Sequence, residues 1–212
     1  MLENRVGAAA IFCELGDDMI KTPFRLTLAI ALGAAVTGSQ AFTMATFADP
    51  ALDETTPLFT IAGNSISGGW ASTGLLLQTP GWGAPDYADA KFTMAPVPIS
   101  LIVPGFWSTG AGQVDFTDSS NNLVLRITFQ SGTLSQNGVG GSDLFGNNVA
   151  FSGPGVPAGL TQETFNFSFA NLASTPNGTT ATASFTSSAV PEPATLGAIG
   201  IGIAALLRRR RR

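Results

Sequence analysis

The sequence contains no histidine and one cysteine, Cys13. Without histidine, Ser-His-Asp triads, imidazole general bases and His-ligated metal centres are excluded. A single cysteine excludes an internal disulfide as the stabilising device. Charge is scarce too: Asp, Glu, Lys and Arg make up 11% of the 212 residues, against about 25% in an average soluble domain. Long runs of the helix formers Glu, Lys, Arg and Gln are missing. Gly, Ser, Thr and Asn are abundant instead, a composition that suits β structure with many turns.

The amino end reads as an export leader if translation starts at Met19. Lys21 and Arg25 supply a basic start, and Leu26 to Val36 is an apolar core of signal-peptide length. Ser39-Gln40-Ala41 sets small residues at the two positions a signal peptidase reads, so cleavage is expected between Ala41 and Phe42. Residues 1–18 fit badly, because Glu3, Glu14, Asp17 and Asp18 outweigh Arg5 and oppose the charge bias of insertion. They read as a mis-assigned start, with a genuine amino-terminal extension as the alternative.

Half of the ten basic residues stand in one row: Arg208, Arg209, Arg210, Arg211 and Arg212. Before them, Ala194 to Leu207 carries no charge and little polarity beyond Thr195. As a transmembrane helix this stretch rises about 21 Å, short of a hydrocarbon core of about 30 Å. It spans only if Pro193 lies near one interface and the arginines snorkel at the other. The positive-inside rule then keeps the arginines cytoplasmic and residues 42–190 outside. A permanent tail anchor and a buried core helix are the competing readings, and the arginine run weighs against the second.

The order Val190-Pro191-Glu192-Pro193, apolar helix, terminal arginines resembles the PEP-CTERM sorting signal of bacterial exported proteins. The resemblance covers Val190 to Arg212. It implies processing near the Pro-Glu-Pro motif by an exosortase, a membrane-embedded cysteine protease-transpeptidase. It also implies a Gram-negative envelope, and a place at the cell surface or in an extracellular polysaccharide or biofilm matrix. The physical logic agrees: the helix parks the substrate in the membrane, the arginines stop transfer, and the motif stays at the outer interface.

Residues 42–189 are then the exported domain, and 190–212 the sorting signal. Between 42 and 190 nine acids face two bases, Lys91 and Arg126, a balance of −7. Repulsion disfavours nucleic acid and anionic lipid as partners. Alternation marks strands: Leu123, Leu125, Ile127 and Phe129 share one face, as do Phe165, Phe167 and Phe169, and Ala181, Ala183 and Phe185. Shorter candidates are 58–62, 74–78, 88–94, 99–103, 114–117 and 149–151. Turn clusters such as DSSNN, SQNGVGGSD and GPGVPAG separate them. About nine short strands predict an all-β fold, an antiparallel β-sandwich of jelly-roll type. The last strand is expected to end near Thr186, with 187–189 as a short linker.

Three groups of residues invite a chemical reading. Asp115 and Asp118, with Ser119, Ser120, Asn121 and Asn122, form the densest set of oxygen ligands, a candidate calcium loop. The competing reading is a hairpin turn whose Asp and Asn cap their own backbone. Trp70, Trp82 and Trp107 follow glycine-rich or turn-like stretches and would stack on sugar rings if they stood free, or close the ends of the core if not. Asp86 and Asp89, beside Trp82 and Tyr87, are the nearest thing to a glycosidase pair, though sequence spacing says nothing about separation across a cleft. The leading expectation is an exported, non-enzymatic protein without a cofactor, handled by a signal peptidase and an exosortase. A carbohydrate-binding module for matrix polysaccharide is the first rival. A hydrolase using Asp86, Asp89, Asp115 or Glu163 is the second.

Overall fold

The computed structural model describes residues 40–50, 56–82 and 85–192. They form twelve strands: β1 Phe42–Phe47, β2 Phe59–Ala62, β3 Ser65–Trp70, β4 Lys91–Val103, β5 Phe106–Thr109, β6 Gly112–Thr117, β7 Leu123–Phe129, β8 Gly132–Ser135, β9 Gly138–Ser142, β10 Ala150–Ser152, β11 Leu160–Thr175 and β12 Gly178–Pro191. The one helical element among the described residues is a 3-10 turn, Asp143–Phe145. The fold is all-β and antiparallel, as the alternation predicts. The expected signal helix and transmembrane helix lie outside the described residues. Among the described residues no helix is long and apolar enough to cross a membrane.

Pairing closes on itself. The order β4–β3–β2–β12–β11–β9–β8–β5 returns to β4, because β5 pairs with both β8 and β4. Two long strands carry the branches. β4 keeps β3 on one edge and changes partner on the other, from β6 at Lys91–Met94 to β5 at Ile99–Val103. β12 keeps β11 on one edge and changes from β2 at Thr179–Ala181 to β1 at Phe185–Ala189. β7 and β10 continue outward from β6.

Inward side chains from the ring and its flanking strands make a single core. Its centre is aromatic: Phe47, Phe59, Phe92, Phe116, Phe167 and Phe185 pack ring on ring, with Phe167–Phe185 and Phe116–Phe185 centroids both 4.8 Å apart. Such tilted pairs add to what area burial alone contributes.

The structure has twelve strands where about nine were expected, with β1, β3, β5, β8 and β9 outside the expected segments, and it departs from the sequence reading in four further respects. Two expected strands, 88–94 and 99–103, are one, because Pro96 and Pro98 sit where β4 changes partner and a missing N–H costs least. The SQNGVGGSD stretch is a hairpin turn followed by β9, whose glycines lie flat against β11. Residues 74–78 supply bridges at Leu77 and Gln78 only. Residues 187–189 are no linker: β12 runs through them to Pro191, held because the buried Ser187 hydroxyl accepts from Ala45 N–H and donates to Ala45 C=O, both at 3.1 Å.

Candidate functional site: the end of the last strand and the groove beside it

The last residues of β12 already belong to the motif that sequence singled out. Val190 pairs with Thr161 and Pro191 with Leu160 on β11. The Thr161 hydroxyl donates to the Val190 carbonyl at 3.1 Å, and the Glu192 N–H donates to the Gly159 carbonyl at 2.7 Å. Gly159 has φ +69°, a left-handed turn that brings its carbonyl over Glu192 and that a side chain would resist. Ala189 is buried, Val190 half-buried, and Pro191 and Glu192 are exposed. Pro193 and Arg208–Arg212 lie outside the described residues.

The opposite edge of β12 carries the amino end. Phe42, the first residue of β1, pairs with Ala189, while Ala41 and Gln40 are exposed and outside any strand. Both expected processing sites therefore sit at one end of one antiparallel pair. If Ala41–Phe42 is the signal-peptidase bond, sequencing of the exported protein should give Phe42 as the first residue. A peptide containing Cys13 in the exported form would refute that.

The tryptophans do not converge. Trp70 ends β3, Trp107 lies in β5 and Trp82 in the loop after β3; all three are half-buried and pack against the core. The indole N–H groups of Trp70 and Trp82 are buried without an acceptor among the described residues.

The carboxylates are also separate, and each holds its own piece of chain. Asp115 on β6 faces Arg126 on β7, with Nε to Oδ1 at 2.7 Å and Nη2 to Oδ2 at 2.9 Å. The Arg126 hydrogen bonds hold the Asp115 carboxyl below its usual range. Asp118 accepts from the backbone N–H groups of Ser120 and Asn122 and from the Asn122 side chain, at 2.8, 2.8 and 2.9 Å. The Asn122 side chain leads in lowering its pKa. Its oxygens are taken up by the turn, so added calcium should leave the melting temperature unchanged. A rise that disappears in Asp115→Asn would reveal a metal site. Asp86 accepts from Thr79 N–H at 3.3 Å, and Asp89 from Gly74 N–H at 2.8 Å, each pinning the 71–90 loop.

Glu163 is different, because it is almost fully buried. It follows Gln162, a residue at φ +53° inside the β11 bulge between Thr161 and Thr164, and it accepts from Phe151 N–H of β10 at 3.0 Å. Burial pushes its carboxyl up, with the Asp143 charge adding to the shift. The folded state thus binds the proton more tightly than the unfolded chain. Stability is fullest below the ordinary value of 4.5 and falls as pH rises through the raised pKa. Asp115 acts oppositely, its contribution fading as pH drops below 3.8. In Glu163→Gln, the melting temperature relative to wild type should climb as pH increases from 4.5, since only the wild type then buries a charge. A difference that stays flat with pH would remove this account.

Beside the end of β12 lies an open groove of about 880 Å³ on the outer face of β8, β9, β11 and β12. Register sets Thr133, Gly140, Asn166 and Thr186 in one row across four strands. Gly140 keeps the floor low, since a Cβ there would run into the Phe165 carbonyl. No lining residue carries a charge. At one side stands Phe145, 84% exposed. Its 3-10 turn is capped by the Ser142 side chain and closed by Gly146 at φ +73°, and Asp143 Oδ1 accepts from Val149 N–H at 2.6 Å. No feature of the sequence had marked this groove or Phe145.

Residues 189–212 match the family model of the PEP-CTERM protein-sorting motif. Neither a curated protein nor a solved structure matches the chain. The matched motif implies a protein exported by exosortase-type sorting through the membrane to the cell surface.

Proposed function

We propose that this chain is a non-enzymatic protein of the cell surface or extracellular matrix, whose β domain is delivered by export at one end and exosortase processing at the other. One observation carries the reading. The sorting motif is continuous with the last strand and lies beside the expected mature amino terminus, an arrangement that sets both expected cuts at one end of the domain. We keep the sandwich reading of the fold, because Phe47 of β1 and Phe116 of β6, on different branches of the ring, meet at 6.2 Å as two facing layers of one folded-over sheet would bring them. No cofactor is needed. The test is fractionation of a host with and without its processing enzyme. Surface or matrix protein lacking the tail should appear in the first, and full-length protein should stay in the inner membrane in the second. Equal surface delivery in both would refute the reading.

A second reading has the groove in its favour. Its rows of hydroxyl and amide groups both donate and accept, and no charge competes for them. That suits the hydroxyls of a neutral glycan, with Phe145 as a stacking face. Affinity electrophoresis in neutral polysaccharide gels should retard the wild type and not Phe145→Ala. A hydrolase finds less support, because Asp86, Asp89, Asp115 and Glu163 are each engaged by backbone or a side chain of their own.

A further inference from the structure

Within the sorting reading, we propose that the folded domain itself limits where the chain is cut: the scissile bond lies on the carboxyl side of Glu192, and the processed protein keeps Val190 and Pro191 as the end of its last strand, with Glu192 after them. A protease acts on chain drawn out of its own sheet, and truncation sites follow the burial and hydrogen bonding of the affected backbone. Up to Pro191 that backbone is paired to β11, and Glu192 N–H is fixed on the Gly159 carbonyl at 2.7 Å. A cut before Pro191 would require unpairing Ala189, which is fully buried, from Phe42 of β1, and breaking the Thr161–Val190 hydrogen bond. Such local opening is rare wherever pairing and burial are dense. The Gly159–Thr161 segment is therefore a clamp on the first half of the motif. The amino end follows the same rule: the expected signal-peptidase bond lies immediately before Phe42, the first paired residue.

Chemically, one amide C–N bond breaks. The retained carbonyl carbon takes oxygen from water or nitrogen from an acceptor amine, and the departing nitrogen takes a proton. Mass spectrometry separates the two, since hydrolysis leaves a free carboxylate and transfer leaves a heavier end.

The test is the carboxy-terminal peptide of the full chain, processed in a host that carries the enzyme. The expected product ends at Glu192 or beyond it, without the arginines. An end at Ala189, Val190 or Pro191 would overturn the clamp while leaving the sorting reading intact. Retention of Arg208–Arg212 would overturn both. A double variant, Gly159→Val with Thr161→Val, loosens the clamp by disfavouring the left-handed turn and removing the hydroxyl donor. Amide exchange at Glu192 should then be at least about tenfold faster, and product ends should spread upstream of Glu192. Faster exchange with unchanged ends would show that the enzyme alone chooses the bond, and the proposal would fail. If the double variant does not fold, the wild-type end decides.

Discussion

Replacing Phe167 by alanine is expected to cost about 3–5 kcal/mol of folding free energy. Phe167 is fully buried at the middle of β11. Its ring lies within contact of five others: Phe185 at 4.8 Å, Phe59 at 4.9 Å, Phe92 at 5.8 Å, Phe47 at 6.2 Å and Phe165 at 6.3 Å. Those partners come from β1, β2, β4, β11 and β12, so the cavity would open where the ring of strands and its branches meet. With no disulfide in the domain to limit the unfolded state, the aromatic core carries much of the stability. A loss of that size is a large share of the about 5–15 kcal/mol typical of a domain. Phe145→Ala, at an exposed ring, should stay within about 0.5 kcal/mol. Urea unfolding of both variants checks the contrast. A Phe167→Ala midpoint as little changed as that of Phe145→Ala would mean the packing is not as described.

What the sequence made legible were the strands with strong local alternation. Phe165 and Phe167 on β11, and Ala181, Ala183 and Phe185 on β12, face the core as their period of two predicts. Strands whose pattern is broken were not legible. In β1, Met44 and Ala45 are both buried, because a bulge between Thr43 and Ala45 interrupts the alternation. β9 is Gly138-Val139-Gly140-Gly141-Ser142, a turn composition made into strand by pairing on both edges with β8 and β11. The two kinds of candidate site divide in the same way. The sorting motif is contiguous chemistry and could be read directly. The groove takes Thr133, Gly140, Asn166 and Thr186 from four strands, and only the register brings them into one row. Its aromatic, Phe145, is one of fifteen phenylalanines with nothing local to distinguish it from a core residue.

Changing Arg208–Arg212 to serine should nearly abolish processing and leave full-length protein in the envelope. The apolar stretch Ala194–Leu207 contains Gly197, Gly200 and Gly202, each unfavourable to a helix by about 1 kcal/mol relative to alanine. Read as a membrane span, a stretch this short and this weak would not fix its own depth in the bilayer. On the sorting reading the five arginines would do so, because bringing even one to the bilayer centre costs at least about 2.5 kcal/mol. With serines that barrier would disappear and the span would be free to slide outward. Glu192 and Pro193 would then be displaced from the outer interface at which, on this reading, a membrane-embedded enzyme meets them. Restoring the charge with five lysines should restore processing, since the requirement is for positive charge and not for guanidinium geometry. Glu192→Ala separates recognition from placement, because it leaves the arginines and the insertion they direct untouched. Immunoblotting of full-length and shortened chain in the host with the processing enzyme reads all three. Normal processing of the serine variant would mean the arginines do not set the register, and the account of the tail as a temporary anchor would have to be given up.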